Sequence, residues 1–276
     1  LKVTALLMML YMLNVFFQQW FMMSQVHPNS FISKEVQLGS NVKIGPFCFL
    51  DGDIKVGDNT ELKSHVSITG KTSIGNNNIF YPFSNIGCDP QDLKFKGEDS
   101  ELIIGNNNIF RENTTISKGT KDGGMKTIIK NNNLFMTGVH IAHDCIIGNE
   151  NIFVNQVTLG GHVNIMNNVV VGGLSAIIQF VTIGSYSMIG GMSGIDKNVL
   201  PFSLAIGNRA KLRGLNLVGI RRKDFDKLEI ARINYIHDHY LDSIDLDRNK
   251  KVDSIFLDYN EILNQKLGHI QKWYNT

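Results

Sequence analysis

The chain has 276 residues, with 27 basic and 25 acidic side chains and a net charge of +2. Nucleic-acid-binding proteins typically carry a strong positive field, which this charge does not produce. We therefore expect no nucleic-acid partner. This length suits one main domain with an appendage. Cys48, Cys88 and Cys145 are odd in number and widely spaced. They offer neither a disulfide framework nor a CxxC metal site, and they favour a reducing compartment, the cytoplasm.

Residues 3–23 are mostly apolar and long enough to span a bilayer. Three interpretations stay open: a membrane anchor, a signal peptide (although no small-x-small cleavage site follows), and an over-extended start. The chain begins with Leu rather than Met, and MSQVHP makes a natural beginning. These features favour the third interpretation, with the working protein starting near Met23. We therefore treat residues 1–24 as a separate apolar N-terminal extension. Whether it belongs to the native protein, and whether it contacts a membrane, stays open.

A six-residue repeat comes next. It is clearest in IGNNNIF, which occurs at 74–80 and again at 104–110, with near copies at 129–135 and 147–153. From Val26 to Ile86, and from Ile129 to Ile195, every sixth residue is large and apolar. An α-helix with about 3.6 residues per turn and a strand with a period of about 2 both lack this spacing.

This period is typical of a β-solenoid with three hexapeptides per coil, in which the aliphatic side chains point inward and stack on their copies. Asn and Gly suit the corners because they tolerate a left-handed backbone. A β-sandwich with irregular strands is the alternative, but it would not keep a strict phase. We place the solenoid at 25–203. The phase breaks at 87–103 and 117–128 predict loops, and loops of this length are usually functional or disordered.

After Pro201 the hexads stop, and from about Arg221 to Tyr274 the apolar spacing becomes helical. The sequence therefore predicts an all-β main domain followed by a small α-helical C-terminal domain at 204–276.

Three of the eight histidines, His140, His143 and His162, cluster within the repeats but outside the inward positions. In a three-sided coil, residues 18 apart stack at about 4.8 Å, so Gly161 lies one coil from His143 and Gln179 lies two. A base, an unobstructed N–H and an amide on one face are what acyl transfer needs. Surface histidines without a role are the alternative. A metal site is disfavoured, because these histidines lack an HxH or HxxxH spacing with a third carboxylate ligand.

Seven motifs carry a resemblance to a known family: GPFC, LKSHV, PQDLKFKGE, HIAHDCIIG, LGGHV, IIQF and GLNLVGIRR. Over about 25–240, the sequence resembles the UDP-N-acetylglucosamine O-acyltransferases of lipid A biosynthesis. The resemblance implies a cytoplasmic homotrimer of left-handed parallel β-helices with helical C-terminal domains and active sites between subunits. Its reaction would move an R-3-hydroxyacyl chain from acyl carrier protein to the 3-hydroxyl of UDP-N-acetylglucosamine, without metal or cofactor.

The resemblance also implies residue roles. His143 would be the general base, Asp144 would orient it, and the N–H of Gly161 would hold the oxyanion. The residues that would contact the substrates are Asp92, Lys94, His140, His162, Gln179, Asn216 and Arg222. Gly191 matches the position that limits acyl length, where a glycine leaves a deep slot. Two departures from the family pattern concern the nucleotide contacts, because Ile178 replaces a frequent His and Val218 replaces a frequent Glu.

Three rival functions remain. The related N-acyltransferase of the same pathway carries an N-terminal uridine-binding domain, whereas only about 25 residues precede the hexads here. Coenzyme A-dependent sugar or serine acetyltransferases lack the QDLK loop together with the HIAHDC pair. A non-catalytic solenoid scaffold would tolerate replacement of His143 without loss of any activity.

Overall fold

The computed structural model describes residues 24–222 and, beyond them, 225, 227, 230, 231, 233 and 234. The predicted N-terminal extension, apart from its last residue, and most of the predicted helical domain lie outside the described residues. No helix among the residues described is long and apolar enough to cross a bilayer.

The described chain is built almost entirely from short strands. In chain order they are β1 (Gln25–Val26), β2 (Phe31–Ile32), β3 (Gln37–Leu38), β4 (Lys43–Ile44), β5 (Phe49–Asp51), β6 (Ile54–Val56), β7 (Glu61–Leu62), β8 (Ser67–Thr69), β9 (Lys71–Ile74), β10 (Ile79–Phe80), β11 (Asn85–Cys88), β12 (Glu101–Ile104), β13 (Ile109–Phe110), β14 (Thr115–Ser117), β15 (Lys126–Ile129), β16 (Leu134–Phe135), β17 (His140–Ile141), β18 (Ile146–Ile147), β19 (Ile152–Phe153), β20 (Thr158–Leu159), β21 (Asn164–Ile165), β22 (Val170–Val171), β23 (Ala176–Ile177), β24 (Thr182–Ile183), β25 (Met188–Ile189), β26 (Gly194–Ile195), β27 (Ser203–Ile206) and β28 (Lys211–Leu215). A 3₁₀ helix lies at Lys121–Gly123 and an α-helix, α1, at Leu217–Arg221. Of the described residues beyond 222, residues 227, 230, 231, 233 and 234 are also helical.

Within the described residues these strands form three sheets. Sheet A takes every third strand from β1 to β25 and then β27 and β28, sheet B takes every third strand from β2 to β26, and sheet C takes every third strand from β3 to β24. Neighbours within a sheet are parallel, apart from the last pair of sheet A, and Leu159 pairs with Ile177, 18 residues on. The chain therefore winds through faces A, B and C once per coil, which confirms the predicted parallel β-solenoid.

The repeat IGNNNIF shows why the sequence adopts this coil. Its apolar end residues, Ile and Phe, point inward, and four phenylalanines stack along the core with ring centroids 4.6–4.9 Å apart, namely Phe80, Phe110, Phe135 and Phe153. The middle Asn turns the corner with a positive φ, which is 58° at Asn77. The last Asn is buried, and the Asn108 amide donates to Asn78 Oδ1 at 3.0 Å. One peptide thus supplies apolar residues for the core, an Asn for the corner and a buried Asn that hydrogen-bonds to its copy in the next coil.

Both loops leave the coil at the corner where face B turns into face C. The first runs between β11 and β12 and the second between β14 and β15. The predicted bounds of 87–103 and 117–128 are too wide, because strand pairing continues to Cys88 and Ser117 and resumes at Glu101 and Lys126. The two loops therefore stand on the same edge of successive coils.

The end of the solenoid differs from the prediction. Residues 204–276 were expected to be helical, but β27 continues sheet A parallel to β25, and β28 then pairs with β27 in antiparallel orientation. Helix begins only at Leu217. Here Leu200, Phe202, Ile220 and Ile233 form a second small apolar core that closes this end of the coil. The six-residue sequence pattern ends before the strand pairing ends, which explains why the predicted domain boundary was wrong.

Candidate active site

A column of side chains, most of them polar, runs through three successive coils at the corner between faces B and C. Each corner follows a strand of sheet B, and the backbone N–H of His162 donates to the His143 carbonyl at 3.0 Å. One coil further, Phe180 N–H donates to the Gly161 carbonyl at 3.1 Å. The His162 ring meets the His143 ring edge-on at 5.1 Å and stacks on Phe180 at 4.4 Å. The 18-residue spacing thus brings His143, Gly161 and Gln179 together, as the sequence predicts.

His143 and Asp144 form a hydrogen-bonded pair at the base of this column. The distance between His143 Nδ1 and Asp144 Oδ2 is 2.8 Å, and both side chains are largely buried. Because an ionised carboxylate only accepts, Nδ1 carries the proton, which leaves Nε2 with a lone pair. This is the arrangement that a general base requires.

Gly161 lies directly against the imidazole of His143. A Cβ at this position would be 2.5 Å from His143 Cε1 and 2.7 Å from Nε2. Carbon atoms normally approach to about 3.5–4.0 Å, so only glycine leaves room for the ring here. Among the described residues, none accepts a hydrogen bond from the Gly161 N–H.

The first loop closes over the column and creates a cleft of about 590 Å³. The residues that line it are Gln91, Asp92, Leu93, Lys94, Asp122, His143, His162, Gln179 and Phe180. The loop is braced from below, because Lys118 pairs with Asp89 at 3.0 Å and places its ammonium 5.2 Å from the Phe95 ring. Asp92 Oδ1 accepts from the N–H of Lys94 at 2.9 Å, which shapes the turn that presents both residues.

The two neighbouring histidines are held neutral by their surroundings. Burial lowers the pKa of His140, and the nearby His143 lowers it further. The pKa of His162 is also lowered, chiefly by burial, although Asp144 opposes the shift. His140 Nδ1 lies 2.7 Å from Thr115 Oγ1, which fixes its ring. Neutral imidazoles near pH 7 can exchange hydrogen bonds with an uncharged sugar or amide without a charge penalty.

Four of the substrate-contacting residues and the acyl-length position singled out from the sequence do not line the cleft within one chain, namely His140, Asn216, Arg222 and Gly191. Asn216 caps α1, accepting from Gly219 N–H at 3.0 Å and donating to the Tyr186 carbonyl at 2.9 Å. Arg222 is exposed at the C-terminal end of that helix. Gly191 is exposed at the corner between faces A and B, and a Cβ there would meet only the backbone of Gly173, with the carbonyl oxygen at 3.4 Å and the nitrogen at 3.9 Å.

His143, Asp144 and His162 are close enough to share a cation, since one ligand atom from each lies within 4.8 Å of the others. However, both carboxylate oxygens of Asp144 already accept hydrogen bonds, one from the Thr120 N–H at 2.9 Å and one from His143. This hydrogen-bond set fits a carboxylate that orients an imidazole better than one that ligates a metal.

The structure adds residues that sequence reasoning missed. Phe180 follows His162 by one coil and could have been found from the same 18-residue spacing. Thr120 and Asp122 belong to the second loop, where the repeat is broken. No repeat position predicts their contact with the column.

Comparisons with known proteins agree on one family. The family model described as "Udp N-acetylglucosamine O-acyltransferase; Domain 2" matches residues 198–272. The acyl-[acyl-carrier-protein]–UDP-N-acetylglucosamine O-acyltransferase of Aliarcobacter butzleri is 46% identical over 257 residues, covering 89% of this chain and 98% of that protein. The crystal structure of the UDP-N-acetylglucosamine O-acyltransferase of Moraxella catarrhalis aligns with a TM-score of 0.79 at 39% identity, covering 86% of this chain and 93% of the other. LpxA from Acinetobacter baumannii gives 0.77 at 40% identity, with the same coverage.

Proposed function

The chain belongs to the UDP-N-acetylglucosamine O-acyltransferase family, and on that premise we propose that it moves an R-3-hydroxyacyl chain from acyl carrier protein to the 3-hydroxyl of UDP-N-acetylglucosamine, the first step of lipid A biosynthesis. The observation that carries the chemistry is the packing of Gly161 against the ring of His143, whose Nδ1 is held by Asp144. A base and a backbone N–H are thereby fixed side by side at one edge of the cleft.

In the proposed mechanism His143 Nε2 takes the proton of the sugar 3-hydroxyl as its oxygen attacks the thioester carbonyl carbon. The oxyanion of the tetrahedral intermediate accepts a hydrogen bond from the Gly161 N–H. Collapse of the intermediate breaks the C–S bond, and the imidazolium returns the proton to the leaving thiolate of the carrier protein. A positioned base contributes about 10²–10⁴-fold, and an oxyanion donor contributes about 10²–10³-fold.

The remaining cleft residues supply binding. Asp92 and Lys94 present a carboxylate and an ammonium from the first loop, while Gln179 and His162 face them across the cleft. His140 lines the neighbouring position on face B. The exposed guanidinium of Arg222 suits the diphosphate, because guanidinium binds phosphate oxygens in a bidentate manner. Asn216 already uses both ends of its amide within the chain, so its contribution to nucleotide binding would come from placing α1.

A homotrimer with left-handed coils would complete this site. The outer face of sheet A carries a partly exposed apolar stripe; its members are Ile79, Ile109, Leu134, Ile152, Val170 and Met188. At the adjoining corner Leu174 is 63% and Met192 is 73% exposed. Burying such a stripe favours association. In a cyclic trimer a patch on one copy meets a different patch on the next, so sheet A of one copy would face the His143 side of another.

Gly191 acts in this arrangement as the limit on acyl length. It lies at the corner between faces A and B, away from the corner of His143 in the same chain. In the trimer this corner would belong to the wall supplied by the neighbouring copy. The open space beside Gly191 leaves a slot for a long acyl chain.

The test is an acyl transfer assay with UDP-N-acetylglucosamine and a panel of 3-hydroxyacyl carrier proteins, run on the wild type and on His143→Ala. We expect ester formation by the wild type and a drop of about 10²–10⁴-fold in kcat for the variant, with an unchanged circular dichroism spectrum. A fall in kcat of less than about tenfold would mean that another group removes the proton.

Parallel reactions separate the rival functions. An amino-sugar nucleotide acceptor tests the N-acyltransferase, and acetyl-coenzyme A as donor tests the acetyltransferases. A scaffold would give no product with any pair. Light scattering tests the trimer, which should weigh about three times the 30.9 kDa chain. The free thiols Cys48, Cys88 and Cys145 are consistent with the predicted cytoplasmic location, which stays a prediction.

A further inference from the structure

Thr120 occupies an unusual position in the second loop. It is the N-cap residue of the 3₁₀ helix at Lys121–Gly123, with an extended backbone at φ −126° and ψ 165°. An N-cap threonine normally turns its oxygen onto the N–H groups of the following turn. Here the side chain makes no such cap hydrogen bond. Its hydroxyl is therefore used for something other than stabilising the short helix.

Both polar groups of Thr120 are directed at Asp144. The backbone N–H donates to Oδ1 at 2.9 Å and the hydroxyl donates to Oδ2 at 2.5 Å, across 24 residues of sequence. Thr120 is 4% and Asp144 is 6% exposed. Water cannot easily replace either hydrogen bond in such a buried place, so losing one leaves a buried lone pair of the carboxylate without a donor.

The carboxylate oxygen that receives the Thr120 hydroxyl is the one that holds the base. Asp144 Oδ2 also accepts from His143 Nδ1 at 2.8 Å. The backbone of Asp144 is anchored separately, because its N–H donates to Thr127 Oγ1 at 2.8 Å. Thr120 consequently determines how the carboxylate is rotated, and hence where the imidazole points. The backbone conformation of the corner does not depend on Thr120.

Gly123 shows how closely the second loop fits this carboxylate. A Cβ added to Gly123 would overlap the carboxyl group of Asp144. The loop thus approaches with a bare backbone on one side and with the donors of Thr120 on the other. A loop that served only as a surface connection would have no need for this fit.

We propose that Thr120 is a positioning residue of the transfer reaction, which fixes the Asp144 carboxylate so that the Nε2 lone pair of His143 faces the substrate hydroxyl. This inference rests on the proposed function, in which His143 is the base. It assigns the second loop the task of aligning the base, whereas the first loop lines the substrate cleft.

The experiment compares Thr120→Val with Thr120→Ser in the acyl transfer assay. Val keeps the shape and the backbone donor but removes the hydroxyl, whereas Ser keeps the hydroxyl. We expect Val to lower kcat by about 10- to 100-fold, by analogy with the loss of a hydrogen-bond partner that orients a metal-bound side chain. The KM for UDP-N-acetylglucosamine should change little, and Ser should restore most of kcat.

The pH profile of kcat/KM gives a readout that a purely structural role would not move. Without the hydroxyl, more of the carboxylate charge on Oδ2 is left for the imidazolium of His143, which stabilises the protonated base. The acid limb of the profile should therefore move to higher pH in Thr120→Val and stay in place in Thr120→Ser. The other titratable and charged groups around the ring are unchanged in both variants; they are Asp92, Lys94, Asp122, His140 and His162.

Equal kcat values for the Val and Ser variants, or a loss of kcat in Val with an unmoved acid limb, would overturn the proposal. If Thr120→Val does not fold, Thr120→Ala removes the hydroxyl with a smaller side chain and gives the same readouts. His143→Ala in the same assay separates the two hypotheses. If the wild type forms no ester, the proposed function fails. If His143→Ala retains activity, His143 is not the base, whereas a dead His143→Ala beside a fully active Thr120→Val refutes only the role of Thr120.

Discussion

Replacing Gly161 by alanine tests the geometry of the site with a single methyl group. The new Cβ would lie 2.5 Å from Cε1 and 3.1 Å from Nδ1 of His143, against a normal separation of about 3.5–4.0 Å. One of the two groups must therefore move by about 1 Å. The ring cannot swing away without stretching its 2.8 Å hydrogen bond to Asp144. The backbone of Gly161 is outside the left-handed region, so alanine itself causes no strain there.

A misplacement of about 1 Å in a reacting group can cost about 10²-fold in rate. We accordingly expect Gly161→Ala to lower kcat by about two orders of magnitude. The KM for UDP-N-acetylglucosamine should stay close to the wild-type value, because alanine retains the backbone N–H and the atoms nearest to the methyl group belong to the base. Steady-state kinetics with a 3-hydroxyacyl carrier protein measure both constants, and a thermal melt records the accompanying loss of stability.

The matched control places the same substitution in the His143→Ala background. There the imidazole is absent, the clash no longer exists, and adding Gly161→Ala should lower neither the melting temperature nor the residual rate. Such a double-mutant cycle isolates the contact between the two positions. A wild-type kcat for Gly161→Ala, or an equal loss of melting temperature with and without the imidazole, would refute the reasoning.

Three further predictions follow from individual residues. Arg222→Ala should raise the KM for UDP-N-acetylglucosamine more than it lowers kcat, since it removes bidentate phosphate contacts; an unchanged KM would reject the assignment. Gly191→Met should shift the kcat/KM ratio for fourteen- and ten-carbon donors toward the shorter chain, because each excluded methylene forfeits about 0.8 kcal/mol; a constant ratio would make Gly191 a turn residue only. Burial holds the pKa of His140 below its ordinary 6.5, so the unfolded chain binds a proton first as the pH falls, and stability should decline as the pH falls through about 6.5. His140→Gln should flatten that decline in melting temperature, and an unaltered slope would assign the effect to other groups.

Much of the site could be predicted because the repeat fixes distances. Once every sixth residue points inward, residues 18 apart must stack, and this places Gly161 on His143 and Gln179 one coil further. The spacing of parallel strands in a sheet is nearly constant at about 4.8 Å. A local pattern of side chains therefore determines a three-dimensional column, which is unusual for contacts between distant residues.

The same logic stops where the repeat stops. The sequence predicts that the solenoid ends at 203 and that an α-helical domain follows, with helical spacing from about Arg221. Instead β27 and β28 extend sheet A to Leu215, because the backbone N–H and C=O groups at the open end of a solenoid are otherwise unpaired. Asn216 matches a nucleotide-binding position by its motif, yet only the structure shows that its amide is engaged in capping α1.

The amino-acid sequence by itself determined the coil, its core and the stacking of the histidine column, since these depend on a short period that every hexapeptide restates. Only the tertiary structure decided how the second loop meets that column. The hydrogen bond from Thr120 to Asp144 joins a segment without periodicity to a corner 24 residues away. Its geometry depends on where the loop closes, on the bare backbone of Gly123 and on the burial of both partners, and no local pattern encodes these three conditions together.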